Sequence, residues 1–205
     1  MHELIEKGGV LMWPLLACSL VMVAIVIERL IFWLKVSTDN NPKLVNRIFE
    51  LTEAGDFDSA IQEATGSKCM TCRILTDGLA HRNYGLAENL EAAAGSEIAS
   101  MKRGLSILDT IITLAPLLGI LGTVSGIIIS FDLLGDSGIE DPKAVTGGIA
   151  QALITTAAGL TIAIITLIPY NALIRKVEKV THYFEKMCTH YAITVQKGEE
   201  KRSLS

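Results

Sequence analysis

The stretch "LAPLLGILGTVSGIIISF", Leu114 to Phe131, is apolar enough to cross a membrane, yet it is written with residues that helices in water avoid. It holds Pro116, the glycines Gly119, Gly122 and Gly126, and the hydroxyls Thr123, Ser125 and Ser130. Glycine and proline weaken a helix in water, and a buried hydroxyl needs a partner. On a helix, Gly119, Thr123, Gly126 and Ser130 share one face, with Gly122 beside them. A stripe of small residues lets two backbones approach closely, which is how helices attract one another in lipid. The segment "GGIAQALITTAAGL", Gly147 to Leu160, repeats the device. Gly148, Ala152, Thr155 and Gly159 share a face there, flanked by Gln151 and Thr156.

Working outward, half of the 205 residues are hydrophobic, and they concentrate in three blocks rather than spreading through the chain. The blocks cover about 10–34, 107–134 and 149–174, each long enough to span a bilayer. The first is too long for a signal peptide and has no small-residue cleavage site after it. It is also bulky all round ("LLACSLVMVAIVIERLIFW", Leu15 to Trp33), so it is expected to face lipid while the other two face protein. The expected fold is all-α, a polytopic membrane protein with three transmembrane helices.

Charge placement orients these spans. Arg29 and Lys35 close the first, Lys102 and Arg103 precede the second, and Arg175, Lys176 and Lys179 follow the third. The loop "GDSGIEDPKAVTG" has one lysine against four acids when Asp132 is counted with it. The positive-inside bias therefore puts 1–9 and 135–148 outside, and 35–106 and 175–205 in the cytoplasm.

Segment 35–106 reads as helices. Leu44, Val45, Ile48 and Leu51 recur at helical spacing and Gly55 ends that run. Ser59 and Gln62 are spaced as a capping box for a second helix. A third helix runs from about Met70 to His81 and breaks at "RNYG". From Leu86 no proline intervenes until Pro116, so the second span is expected to continue into the cytoplasm as one long helix. The third span continues likewise, with Val177, Val180, Phe184, Met187 and Tyr191 on one face. Together the two extensions give a cytoplasmic helical bundle, and the terminal "KGEEKRSLS" is expected to be disordered.

The polar groups of the second and third spans read in two ways. Hydroxyls in membrane helices often bond only their own backbone, which leaves packing alone. Alternatively, they and Gln151 line a polar path, since a neutral amide at membrane depth needs a partner or water. No carboxylate lies in the middle of either span; Asp109 and Asp132 sit near the ends. A proton path through this chain needs an acid from elsewhere.

These two segments, with Glu28 and Arg29 at the end of the first span, resemble the signature region of the MotA/TolQ/ExbB proton-channel family. The layout is similar to the three-span ExbB and TolQ type over nearly the whole chain, and the sequence likeness is densest over Leu114–Asn171. The resemblance implies a homopentamer in the bacterial inner membrane, with the N-terminus periplasmic and the C-terminus cytoplasmic. It implies a pore that holds a dimer of an ExbD/TolR-like single-span protein carrying an aspartate, past which ions flow to drive mechanical work. It places Thr123 and Thr156 on the ion route and Glu28 and Arg29 as a pair at the membrane surface. In that family a glutamate stands where this chain has Gln151, and a proline commonly stands at Ile165, where this chain has Pro169 instead. The doubled Thr155–Thr156 resembles sodium-driven relatives, so proton and sodium both remain open.

No phosphate loop, nucleophile motif or carboxylate pair argues for an enzyme, and no cofactor or nucleic-acid partner is expected. Cys69 and Cys72 have metal-like spacing but only His81 near them in sequence, which falls short of a four-ligand site, so no metal is expected. Three of the four cysteines fall in the reducing compartment, and no disulfide is expected. The rival functions are a passive membrane scaffold and a small-molecule transporter subunit.

Overall fold

The computed structural model describes residues 9–137 and 142–204. The expected outer N-terminus up to residue 8, loop positions 138–141 and Ser205 lie outside the described residues. The chain forms helices α1 (Met12–Thr38), α2 (Pro42–Glu53), α3 (Phe57–Ala64), α4 (Met70–Ala80), α5 (Leu86–Lys102), α6 (Leu105–Ser137) and α7 (Pro142–Leu204), with one 3-10 turn at Arg82–Tyr84. No strand occurs among the described residues. Among the described residues, three helices are long and apolar enough to cross a membrane.

The chain divides into two units. One, the span unit, is the described part of Met1–Arg29 with Gly104–Leu173; the other, the charged unit, is Leu30–Arg103 with Ile174–Ser205.

In the span unit the buried positions of α6 are Leu105, Leu108, Ile111, Ala115, Gly119, Gly122, Gly126 and Ser130, and those of α7 include Ala152, Thr155, Gly159, Ala163, Thr166 and Leu173. Both rows step by three, four or seven, one face of a helix. They face each other. A Cβ built on Gly159 would collide with the Ala115 carbonyl, and one on Gly126 would stand 2.9 Å from the Ala152 Cβ. The small residues therefore seal α6 against α7 within the chain. Gly122, rather than Thr123, stands in that row, because the contact steps 119, 122, 126. α1 is mostly exposed, with Trp13 and Leu20 bare, but Leu15 and Met22 are buried. Its Ile25 also reaches the turn at Gly104, so it does not face lipid all round.

The expectation of one long helix entering the second span is corrected. α5 and α6 are separate, divided at Arg103–Gly104, where Gly104 takes φ +78. That left-handed conformation suits glycine and ends a helix. α7, by contrast, runs unbroken through both units with Pro169 inside it.

The charged unit is built from water-side rules. α2 starts on Asn41, whose side chain accepts from the Leu44 amide, with Pro42 in the first turn. It ends in a Schellman motif, the Asp56 amide donating to the Leu51 carbonyl and Gly55, at φ +84, to Thr52. The expected capping box at Ser59 is corrected. Asp56 caps α3 by accepting from the Ser59 amide, and the Ser59 side chain together with that amide holds its carboxyl below the usual range. Asp56 precedes Ser59 by one turn, and the shorter carboxylate reaches the amide directly.

The core joins α7 to these short helices. Val177, Phe184, Met187 and Tyr191 are buried, as the periodicity predicts, while Val180 on the same face is only half-buried. The Tyr191 hydroxyl lies 2.9 Å from that of Thr52, and its ring meets Phe49 edge-on at 5.0 Å. Arg73 of α4 makes a bidentate pair with Glu97 of α5 at 2.9 and 2.8 Å. The expected disorder of the tail is also corrected, because α7 continues to Leu204. Gly198 explains this. It is buried, and a Cβ there would collide with the Thr52 carbonyl and stand 3.1 Å from the Phe57 ring, so its lack of a side chain lets the helix lie directly on α2 and α3.

Candidate functional site

The seam between α6 and α7 holds the residues the sequence singles out. Gly119 meets the Thr156 backbone, with 3.0 Å between a built Cβ and the Thr156 Cα. A Cβ built on Gly122 would stand 2.5 Å from the Thr155 hydroxyl oxygen, and one built on Gly148 would collide with the Ser130 hydroxyl. Each glycine thus occupies a place where any side chain would push the helices apart.

The hydroxyls divide into two kinds. Thr155 donates to the Ala152 and Gln151 carbonyls, Ser130 to Gly126, and Thr123 to Ile120, all within their own helices. This is the backbonding common to membrane helices. Thr156 instead crosses the seam and donates to the Gly119 carbonyl at 2.8 Å. Thr155 is 1% exposed, whereas Thr123 and Thr156 are half-buried. A hydroxyl whose proton is committed to a carbonyl still offers oxygen lone pairs. Thr123 and Thr156 therefore present neutral acceptor oxygens at the rim of the seam, suited to water or a cation.

Gln151 sits apart from them. Its side-chain amide lies against the Gly9 backbone, just before α1 begins, and so belongs to the end of the span rather than its middle. Thr166, which sequence reasoning passed over, is fully buried in the same row and donates to Ile162 at 2.6 Å. Extending the three-and-four spacing from Gly159 through Ala163 would have found it. Near the end of α1, Arg29 is 2% exposed and forks onto the Glu28 carboxylate next to it, with two contacts of 2.5 Å.

The seam carries no ionisable side chain between Asp109 and Asp132 on α6, and none on α7 from Thr146 to Pro169. No group of three or more His, Cys, Asp or Glu among the described residues could hold a metal ion. The seam can thus pack helices and offer neutral oxygens, but it cannot itself carry a proton on a titrating group.

The comparisons with known proteins agree with this architecture. The model of the MotA/TolQ/ExbB proton channel family matches residues 67–186. The chain is 36% identical over 169 residues to a putative biopolymer transport protein ExbB-like 3 of Synechocystis, covering 80% of each chain. It is 32% identical to a putative ExbB homolog of Methanothermobacter thermautotrophicus, over 86% of this chain and 63% of that one. With the biopolymer transport protein ExbB of Aquifex aeolicus it shares 44% identity over 92 residues, 45% of this chain and 62% of that one. A three-span helical protein with a small-residue seam, matched in this way along most of its length, belongs to the MotA/TolQ/ExbB proton channel family.

Proposed function

We propose that this integral membrane protein is the ring-forming subunit of an ion-driven complex of the TolQ/ExbB type in the bacterial inner membrane. Five copies surround a dimer of a single-span partner that supplies the aspartate this chain lacks. One observation carries the reading. The seam sets two half-exposed threonine oxygens, Thr123 and Thr156, in a pair of membrane helices that have no ionisable side chain of their own at that depth. Oxygens of this kind replace part of an ion's hydration shell or hold water, and the partner's carboxylate takes up and releases the charge. Thr155, buried in the contact, serves packing. Glu28 and Arg29 anchor the inner membrane surface, with the C-terminal part of α7 in the cytoplasm.

The passive scaffold remains the second reading, because most seam hydroxyls satisfy themselves on their own backbone. Native mass spectrometry of the protein co-expressed with a single-span aspartate-bearing partner separates assembly from its alternatives. Five copies with two partner chains are expected, and a monomer or an even-numbered closed ring contradicts the proposal. The ion follows from a second readout. Work that persists with the sodium gradient collapsed assigns protons, and work that vanishes and returns with sodium assigns sodium.

A further inference from the structure

Asp109 stands at one end of the seam, and neither the packing nor the proposed ion work uses it. The contacts between α6 and α7 fix its place. Gly159 lies against Ala115, Thr156 against Gly119 and Ala152 against Gly126, so numbers fall along α7 as they rise along α6. The two helices are antiparallel. Along α6 the positions Asp109, Thr113, Pro116, Ile120 and Thr123 follow at steps of four, three, four and three, one helix face beside the buried row. Along α7 the positions Thr156, Leu160, Ala163, Leu167 and Tyr170 repeat those steps. Thr123 with Thr156, and Asp109 with Tyr170, therefore stand at two levels of one rim, about 21 Å apart at about 1.5 Å per residue. The Tyr170 hydroxyl meets the Asp109 carboxylate, which ties the acid to both helices.

Ordinary reasons for an acid here fall short. α6 has no acid in its first turn, where the helix dipole would favour one, and Asp109 lies a turn beyond its start. Among the described residues no basic side chain pairs with it. The Asp109 position is exposed while Tyr170 is half-buried, so the charge faces out of the contact. Between the two levels the rim offers neutral oxygens. The Thr113 hydroxyl is one, and Pro116 has no amide to give the Ile112 carbonyl, which leaves a second.

We propose that Asp109 is the cation-binding end of the ion route, on the side where the proposed function places the cytoplasm. The inference rests on that reading of the seam. A cation leaving the Thr123 and Thr156 oxygens passes along the rim to this carboxylate, which holds it and releases it to water. A proton adds to one carboxylate oxygen and leaves to water; a sodium ion lies against the same oxygens and leaves hydrated. In a ring with that rim inward, each copy brings one such carboxylate to the mouth, and a ring of acids gathers cations.

The test measures ion flux in liposomes carrying the full complex with its partner, each variant checked for intact assembly. D109N should lower flux about tenfold, a loss between the bulk-water and protein-surface strengths of one charge–cation contact. D109E should keep most of it. The charge itself is tested on one assembled complex, D109C, before and after thiol modification. A negatively charged methanethiosulfonate should restore flux and a positively charged one should not. The wild type is treated alike, to account for Cys18, Cys69, Cys72 and Cys188. Wild-type flux from D109N, or equal action of the two reagents on D109C, overturns the inference. T123V/T156V separates the two failures. Loss of flux there with D109N unchanged leaves the reading of the seam standing and removes Asp109 from it, whereas wild-type flux in both variants overturns that reading as well.

Discussion

Helix α7 passes through two kinds of packing. In the span unit it presents Ala152, Thr155 and Gly159 to α6, and in the charged unit it presents Val177, Phe184, Tyr191 and Val195 to α2, α3 and α5. The difference follows from the solvent. In water, burying large apolar side chains is itself the driving force. In lipid that gain is absent, and close backbone approach with a few hydrogen bonds takes its place. Substitutions that empty space should therefore damage the charged unit, and substitutions that fill space should damage the span unit.

The largest expected effect is in the charged unit. Phe57 is 2% exposed, with the Arg82 guanidinium 4.7 Å from its ring centre. F57A should cost about 4 kcal/mol. Hydrogen exchange should accelerate across α2, α3 and α4 while α6 keeps its protection; equal loss in both units breaks the comparison. Next comes G159L, which sets a bulky side chain against the Ala115 backbone. It should cost about 3 kcal/mol and lower the yield of assembled complex, with the exchange of α2 to α4 unchanged. Wild-type assembly for G159L removes the seam from the account.

Smaller effects sharpen it. Y191F removes the bond to Thr52 and should cost about 1.5 kcal/mol. Burial pushes the Tyr191 phenol up to about 12, above its ordinary value. The stability this group contributes is therefore complete below its unfolded pKa of about 10 and is lost as pH rises from there toward about 12. An alkaline melt of the charged unit should show that loss in the wild type and a shallower one in Y191F. The smallest effect on stability is T156V, which removes the one bond to the Gly119 carbonyl and should cost about 0.6 kcal/mol. A loss of several times that amount would make Thr156 a structural residue first.

How much of this the sequence revealed varies with the physics of each part. Three spans, the small-residue stripes and the tail helix face are local periodicities, and they are readable from spacing alone. The split between α5 and α6 was hidden because Gly104 alone marks it, without proline. The order of the tail was hidden because Gly198 gains its meaning only from Thr52 and Phe57, far away in the chain. For the same reason spacing placed Thr123 in the stripe, while the contact takes Gly122. Which hydroxyl crosses the seam is likewise a tertiary fact; Thr155 and Thr156 are adjacent and identical, and only geometry distinguishes them.

That pair gives the most direct test of ion work at the seam. Ion flux is measured in liposomes carrying the full complex with its partner, for T155V and for the double variant T123V/T156V, each checked for intact assembly. The account predicts that T155V keeps its flux, since its buried hydroxyl serves only its own helix, while T123V/T156V loses flux with the complex whole. Flux at the wild-type rate from an assembled T123V/T156V complex would contradict it and leave the seam as packing alone.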